Sequence, residues 1–167
     1  MGTTASIYKS MTKVNVPKIG EIIIRPMQTN DVAEVYRVEC RSYTHPWSEK
    51  LIYDCVLVGY SCWLVEYKGE IIAYAIYRLA AEEGHLFNIA IHPDYQNRGL
   101  GRVFLGFLLD LMRQKQAKEV VLEVRVSNEA ARKLYQSYGF VEIGVRKGYY
   151  PGTNSEREDG INLQLVF

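Results

Sequence analysis

The sequence predicts an α+β sandwich built on a mixed, mostly antiparallel sheet, and three observations carry that prediction. Residues 61–67, 70–79 and 84–92 are rich in β-branched and aromatic side chains and are parted by turn residues, which reads as a meander. A strongly amphipathic helix over residues 99–116 lies between the last of these strands and another at 119–126, so the chain contains one β-α-β crossover. The full order is β-α-α-β-β-β-α-β-α-β-β. Hairpins mixed with a single crossover fit an α+β sheet and not a doubly wound one.

Each element has its own signal. Residues 21–25 hold three consecutive isoleucines and stop at Pro26, a strand. Thr29 and Asn30 are N-cap candidates, and Asp31 adds negative charge at the positive end of the helix that follows. Val32, Val35, Tyr36, Val38 and Glu39 extend that helix to about Ser42. His45-Pro46-Trp47 is a loop, because proline disfavours helix in the residue before it. Ser48 caps a second helix through Leu51, Ile52 and Cys55 to Val58. Lys68-Gly69 is a hairpin turn, and Pro93 ends the strand at 84–92. Val103, Phe104, Phe107, Leu108, Leu111 and Met112 recur at helical spacing in the long helix. Asn128 caps a short helix that ends at Gly139, where glycine suits the left-handed position past a helix end. Strands at 140–146 and 161–167 close the chain, joined by a loop rich in Gly, Asn and charge. Residues 1–20 read as a flexible extension ahead of one domain at 21–167.

Composition excludes several functions. A chain of 167 residues suits one domain with a sizeable core, and 48% hydrophobic with 23% charged residues is ordinary for a soluble globular protein. The formal net charge of +1 leaves no basic surplus for neutralising a nucleic-acid backbone. Cys40, Cys55 and Cys62 form no C-x-x-C pair and are odd in number, which argues against a disulfide framework and for a reducing cytoplasm. All three are expected to be buried or inert thiols. His45, His85 and His92 lack metal-ligand spacing, so no metal is expected. No apolar run is long enough for a membrane span. Met1-Gly2 with Ser6 matches a loose myristoylation pattern, but no polybasic segment follows it.

The sharpest local signal is Gln96-Asn97-Arg98-Gly99-Leu100-Gly101, then Arg102. A strand has just ended and a long helix begins. Such a helix start exposes N–H groups and the positive end of the macrodipole, and glycines let a phosphate approach the backbone. A dinucleotide fingerprint would need glycine where Phe104 stands, and a P-loop would need Gly-Lys before Ser or Thr. What remains is Q-x-x-G-x-G, or a glycine-rich helix start with no ligand.

With the preceding Asn88-Ile89-Ala90-Ile91-His92-Pro93-Asp94-Tyr95, this loop resembles that of the GNAT acetyltransferase superfamily. Further segments resemble its RimI group of N-terminal protein acetyltransferases: His45-Pro46-Trp47-Ser48, Leu86-Phe87-Asn88-Ile89-Ala90, Leu122-Glu123-Val124-Arg125 with Ser127-Asn128, Leu134-Tyr135 with Gly139-Phe140, and Gly148-Tyr149-Tyr150-Pro151. The likeness runs in unbroken order from about residue 21 to the end. It implies a GNAT-like α/β/α sandwich that takes acetyl-coenzyme A as co-substrate. The acceptor it implies is a protein N-terminus, the terminal alanine of a small-subunit ribosomal protein. It implies no direct nucleic-acid or membrane partner, and a monomer or weak dimer. Lysine or small-amine acetylation and a non-catalytic acetyl-coenzyme A-binding module are the alternatives.

The resemblance also assigns residues. Asn97, Arg98, Gly99, Leu100, Gly101 and Arg102 would hold the pyrophosphate. Ile89, Ala90 and Ile91 would line the pantetheine arm by backbone. Asn128 would contact the cofactor, or serve only as the helix cap. Acetyl transfer needs a base for the amine and an acid for the leaving thiolate. Glu123 shares a strand face with Arg125, so it is either half of an exposed ion pair or, as the resemblance implies, the base. Among 13 tyrosines only the Leu-Tyr-x-x-x-Gly-Phe context selects Tyr135 as the acid, with Tyr138 a nearby rival. Trp47, Tyr149 and Tyr150 lie in predicted loops. They flank an entering peptide or pack on the sheet.

Overall fold

The structure, a computed structural model, describes residues 11–167. All eleven predicted elements are present, with one strand more. In chain order they are β1 (Thr12–Val16), β2 (Gly20–Pro26), α1 (Val32–Ser42), α2 (Glu49–Leu57), β3 (Ser61–Tyr67), β4 (Glu70–Ala80), β5 (Glu83–Ile91), α3 (Leu100–Gln114), β6 (Glu119–Arg125), α4 (Glu129–Ser137), β7 (Val141–Pro151) and β8 (Arg157–Val166). Hydrogen-bonded neighbours run β1-β2-β3-β4-β5-β6-β8-β7. The β5–β6 pair, bridged in sequence by α3, is parallel; β1–β2, β2–β3, β3–β4, β6–β8 and β7–β8 are antiparallel. This is the mixed α+β sheet expected.

Two boundaries are corrected. Residues 12–16 are not a flexible extension but a strand, pairing Thr12 with Ile24 and Val14 with Ile22. The alternation of Lys13, Val14, Asn15 and Val16 has the period of a strand, yet offers only two valines as signal. The expectation for residues 1–10 lies outside the described residues. The last hairpin is also longer than expected. β7 runs on to Pro151 and β8 starts at Arg157, leaving a short loop at 152–156. A register shift between Arg146 and Tyr150 contains Gly148, whose left-handed φ of 60° breaks the alternation that sequence reading depends on.

The described chain groups into two compact units. The first takes residues up to Tyr77 with Asn88–Leu108; the second takes Arg78–Phe87 with Leu109–Phe167. In the first, every residue from Ile71 to Tyr77 of β4 is buried, as a strand covered on both faces requires. Ile22, Ile24, Leu64, Val35, Ile52, Phe104 and Leu108 complete that core. In the second, Leu109 and Met112 of α3 are buried, as are Val120, Leu122, Ile161 and Leu163 of the strands. Gly84 permits this packing, since a Cβ there would lie 2.6 Å from the sulfur of Met112. Cys55 and Cys62 are buried, and burial pushes the Cys62 thiol up to about 12; Cys40 is exposed on the outer face of α1. No helix among the described residues is long and apolar enough to cross a membrane.

Candidate active site

In the first unit, the end of β5 leads through one turn, Pro93–Tyr95, into the glycine loop and α3. The His92 N–H donates to Ile72 O at 2.8 Å, so the backbone groups of Ala90 and His92 face β4, while those of Ile89 and Ile91 lie on the opposite edge. On that edge the Tyr43 hydroxyl donates to Ile89 O (2.5 Å), and Ser42 Oγ and Gln96 Nε2 donate to Ile91 O (3.1 and 2.9 Å). Asn97 and Gly99 are left-handed, with φ of 59° and 84°. A Cβ on Gly99 would meet nothing within 4 Å, so backbone conformation rather than crowding demands glycine there. Val103 N–H donates to Gly99 O (3.2 Å), which places the N–H groups of Leu100 and Gly101 ahead of the first intrahelical bond. The buried Leu100 side chain pins this turn. The Arg98 guanidinium lies 5.7 Å from the centre of the Tyr95 ring. The loop therefore has the geometry of an anion site: helix N-terminus, left-handed glycine and arginine together.

The same unit buries a carboxylate that the sequence reading passed over as one position of a helix. Glu39 is 1% exposed. Its Oε1 accepts the Trp47 N–H (3.0 Å), and its Oε2 accepts the Tyr74 hydroxyl (2.5 Å) and Asn88 Nδ2 (3.1 Å). Burial raises its pKa against the pull of those hydrogen bonds. Trp47, half-buried, is thus tied by its backbone to α1.

The second unit holds the other predicted groups. Glu123 lies on β6 with its side chain 18% exposed. His85 Nε2 is 2.9 Å from its Oε2, and the Arg146 guanidinium is 3.8 Å from its Oε1. The bond to His85 and, less strongly, the charge of Arg146 lower its pKa against the effect of burial. The exposed Glu123–Arg125 pair does not form. Arg125 donates instead to Pro151 O (2.8 Å) and Glu158 (3.1 Å), and lies 4.6 Å from the centre of the Tyr150 ring. Glu158 sits on the part of β8 that the sequence reading gave to a loop.

Tyr135 is buried on α4, its ring edge-on to Phe140 at 5.6 Å. Burial, and then the neighbouring Tyr150, push its hydroxyl well above the ordinary phenol range. Asn128 caps α4, its Oδ1 accepting the Ala131 N–H at 3.2 Å. Tyr149 and Tyr150 stand on β7 rather than in a loop, edge to face at 4.8 Å. Tyr149 is exposed with Arg146 over its ring at 5.0 Å. Tyr150 is half-buried, and burial followed by the charge of Glu123 pushes it up to about 12. His85 and Arg146 are the neighbours of Glu123 that sequence reading missed. The parallel β5–β6 register explains the meeting: it pairs His85 with Val121, on the face of Glu123 two residues on, and only that register brings together residues 38 positions apart. Among the described residues no cluster of three or more His, Cys, Asp or Glu side chains could hold a metal.

Comparison with known proteins bears on the whole of this arrangement. The sequence profile of the Acetyltransferase (GNAT) family matches residues 32–140. The chain is 40% identical over 142 residues to the ribosomal protein bS18 alanine N-acetyltransferase of Escherichia coli (strain K12), covering 85% of this chain and 95% of that protein. It is 35% identical over 139 residues to the enzyme of that name from Haemophilus influenzae, covering 83% and 94%. The crystal structure of the ribosomal-protein-S18-alanine N-acetyltransferase from Escherichia coli matches with a TM-score of 0.82 at 39% identity, over 87% of this chain and 93% of that one.

Proposed function

The chain belongs to the GNAT acetyltransferase family, and on that premise we propose that it moves the acetyl group of acetyl-coenzyme A onto the N-terminal alanine of a small-subunit ribosomal protein in the cytoplasm. The observation that carries this reading is the similarity to the Escherichia coli alanine N-acetyltransferase along 95% of that enzyme's length.

The residues have separate tasks. Asn97, Arg98, Gly99, Leu100, Gly101 and Arg102 hold the pyrophosphate, with helix N–H groups and arginine charge opposing its negative charge. The outer backbone edge at Ile89 and Ile91, with Ala90 between them, aligns the pantetheine arm. Asn128 spends Oδ1 on its cap and offers its amide nitrogen to the donor. Glu123 takes the proton that the attacking amine sheds. Tyr135, protonated at neutral pH, gives its own proton to the departing thiolate. Trp47, Tyr149 and Tyr150 flank the entering peptide.

The lowered pKa of Glu123 bears on the acceptor. A carboxylate held down in this way is a weak base. At pH 7 about one α-amine in seven is already neutral, against about one lysine amine in 2,500, from unperturbed pKa values of about 7.8 and 10.4. A weak base suffices for the first and not for the second.

Two peptides test the acceptor. One begins with the alanine of ribosomal protein S18 and contains no lysine; the other has a blocked N-terminus and one free lysine. The first should be acetylated at least about 100-fold faster, with mass spectrometry placing the acetyl group on the α-nitrogen. Equal or faster acetylation of the lysine peptide overturns the reading.

A further inference from the structure

Glu123 occupies an unusual place in its sheet. The β5–β6 ladder pairs Glu83 with Glu119, Gly84 with Val120, His85 with Val121 and Leu86 with Leu122. Glu123 is therefore the first residue of β6 beyond the last β5 pair. On its other side the ladder continues, with Asn162 of β8 opposite it. A glutamate side chain turns about three torsions, and on the β5 side no strand neighbour stands directly across to limit them. The 2.9 Å contact with His85 fills that role.

We propose that His85 is a positioning residue for the general base, its Nε2–H holding Oε2 of Glu123 so that Oε1 is presented to the amine. This rests on the reading of Glu123 as the base. The ring that does the holding is itself held. His85 packs on Phe87 with centroids 4.4 Å apart and planes tilted 39°, and the Arg78 guanidinium lies 5.9 Å from the Phe87 centroid. Bonding to an ionised carboxylate requires the proton on Nε2, which fixes the tautomer.

The other charged groups near Glu123 do not duplicate this role. Arg146 is half exposed and stands 3.8 Å from Oε1, too far for a hydrogen bond. Arg125 is committed to Glu158 and Pro151. Tyr150 has its pKa raised by burial and then by the charge of Glu123, so its hydroxyl stays neutral beside that carboxylate. His85 is thus the group that both fixes one oxygen and keeps the carboxylate ionised. When Oε1 takes the proton from the amine, Oε2 still accepts from Nε2–H. The acid form stays oriented until that proton passes to solvent.

The test compares His85→Leu, His85→Gln and Glu123→Gln on the alanine-terminated peptide, with kcat, KM, pH profiles and thermal midpoints for each. His85→Leu should lower kcat about tenfold while leaving both KM values within about twofold, because orientation rather than binding is lost. Its acid limb should move to higher pH, since the bond that lowers the pKa of Glu123 is gone. His85→Gln, whose amide N–H can reach the same oxygen, should recover most of kcat. Parental kcat and acid limb in His85→Leu overturn the proposal. So does a loss that Gln does not rescue and that follows the thermal midpoint, which marks a packing role. Parental turnover in Glu123→Gln is a different result: it removes the base assignment on which the proposal stands.

Discussion

Two glutamates, one in each compact unit, sit in opposite circumstances. Glu39, on α1, is sealed against β4 and the far half of β5, with both oxygens taken by Trp47, Tyr74 and Asn88. Burial raises its pKa. Glu123 is partly open on β6, has one oxygen on His85, and has its pKa lowered. A search for perturbed carboxylates in the manner of an acid-base enzyme would choose Glu39 first, because a raised pKa is the usual mark of a tuned base. Access reverses that choice. A carboxylate 1% exposed, with three donors already on it, has no position left for an amine. An α-amine needs little help near neutral pH, so the proposed base can be the weaker and reachable one. Glu39 anchors Trp47, and Glu123 is the glutamate proposed as the base.

Glu123→Gln is the strongest test of that division. The amide keeps the shape and loses the basic oxygen. It should lower kcat about 100-fold or more, the usual range for a general base, and leave the thermal midpoint nearly unchanged. Steady-state kinetics beside a melting curve would show it. A large fall in stability with little change in kcat would give Glu123 a structural role and remove it from the chemistry.

Glu39→Leu should do the converse. It leaves the Trp47 N–H, the Tyr74 hydroxyl and Asn88 Nδ2 without their acceptor, so the expected cost is about 2–4 kcal/mol of stability, read from urea unfolding. Turnover by the folded fraction should fall far less than in Glu123→Gln. Unchanged stability would mean the sealed network is incidental.

The contrast also explains what was legible in the sequence. The loop from Gln96 to Gly101 was readable because its meaning is local: a strand end, glycines and a helix start lie within a few residues. Glu39 was not, because its partners Tyr74 and Asn88 stand 35 and 49 positions away. The two compact units were not legible either, since β4, β5 and α3 each carry residues of both. β1 was hidden by having only two valines, and the tyrosines of β7 by the bulge at Gly148.

Stability as a function of pH sharpens the pair further, through sign rather than size. The folded pKa of Glu39 is raised. Its contribution is fully present below the ordinary carboxylate value near about 4.3 and is lost as pH rises through the folded value. The folded pKa of Glu123 is lowered, so its contribution is present above about 4.3 and is lost as pH falls through the folded value. Urea titrations from acid to neutral pH should therefore give parent-minus-variant curves of opposite slope for Glu39→Gln and Glu123→Gln. Slopes of one sign would mean that the two environments do not oppose each other.

The smallest expected effect belongs to Arg146. It is the second group lowering the pKa of Glu123, but it acts across 3.8 Å from a half-exposed side chain. A surface ion pair of this kind is worth about 1 kcal/mol at most, which bounds the change in kcat for Arg146→Met at about fivefold. The acid limb should move to higher pH, in the same direction as for His85→Leu and by less. Salt separates the two. At high ionic strength the Arg146→Met difference should vanish, because an exposed charge is screened, while the His85→Leu difference persists, because a 2.9 Å hydrogen bond is not. Equal salt sensitivity in both variants would show that charge alone sets the state of Glu123, and that the bond to His85 adds nothing to it.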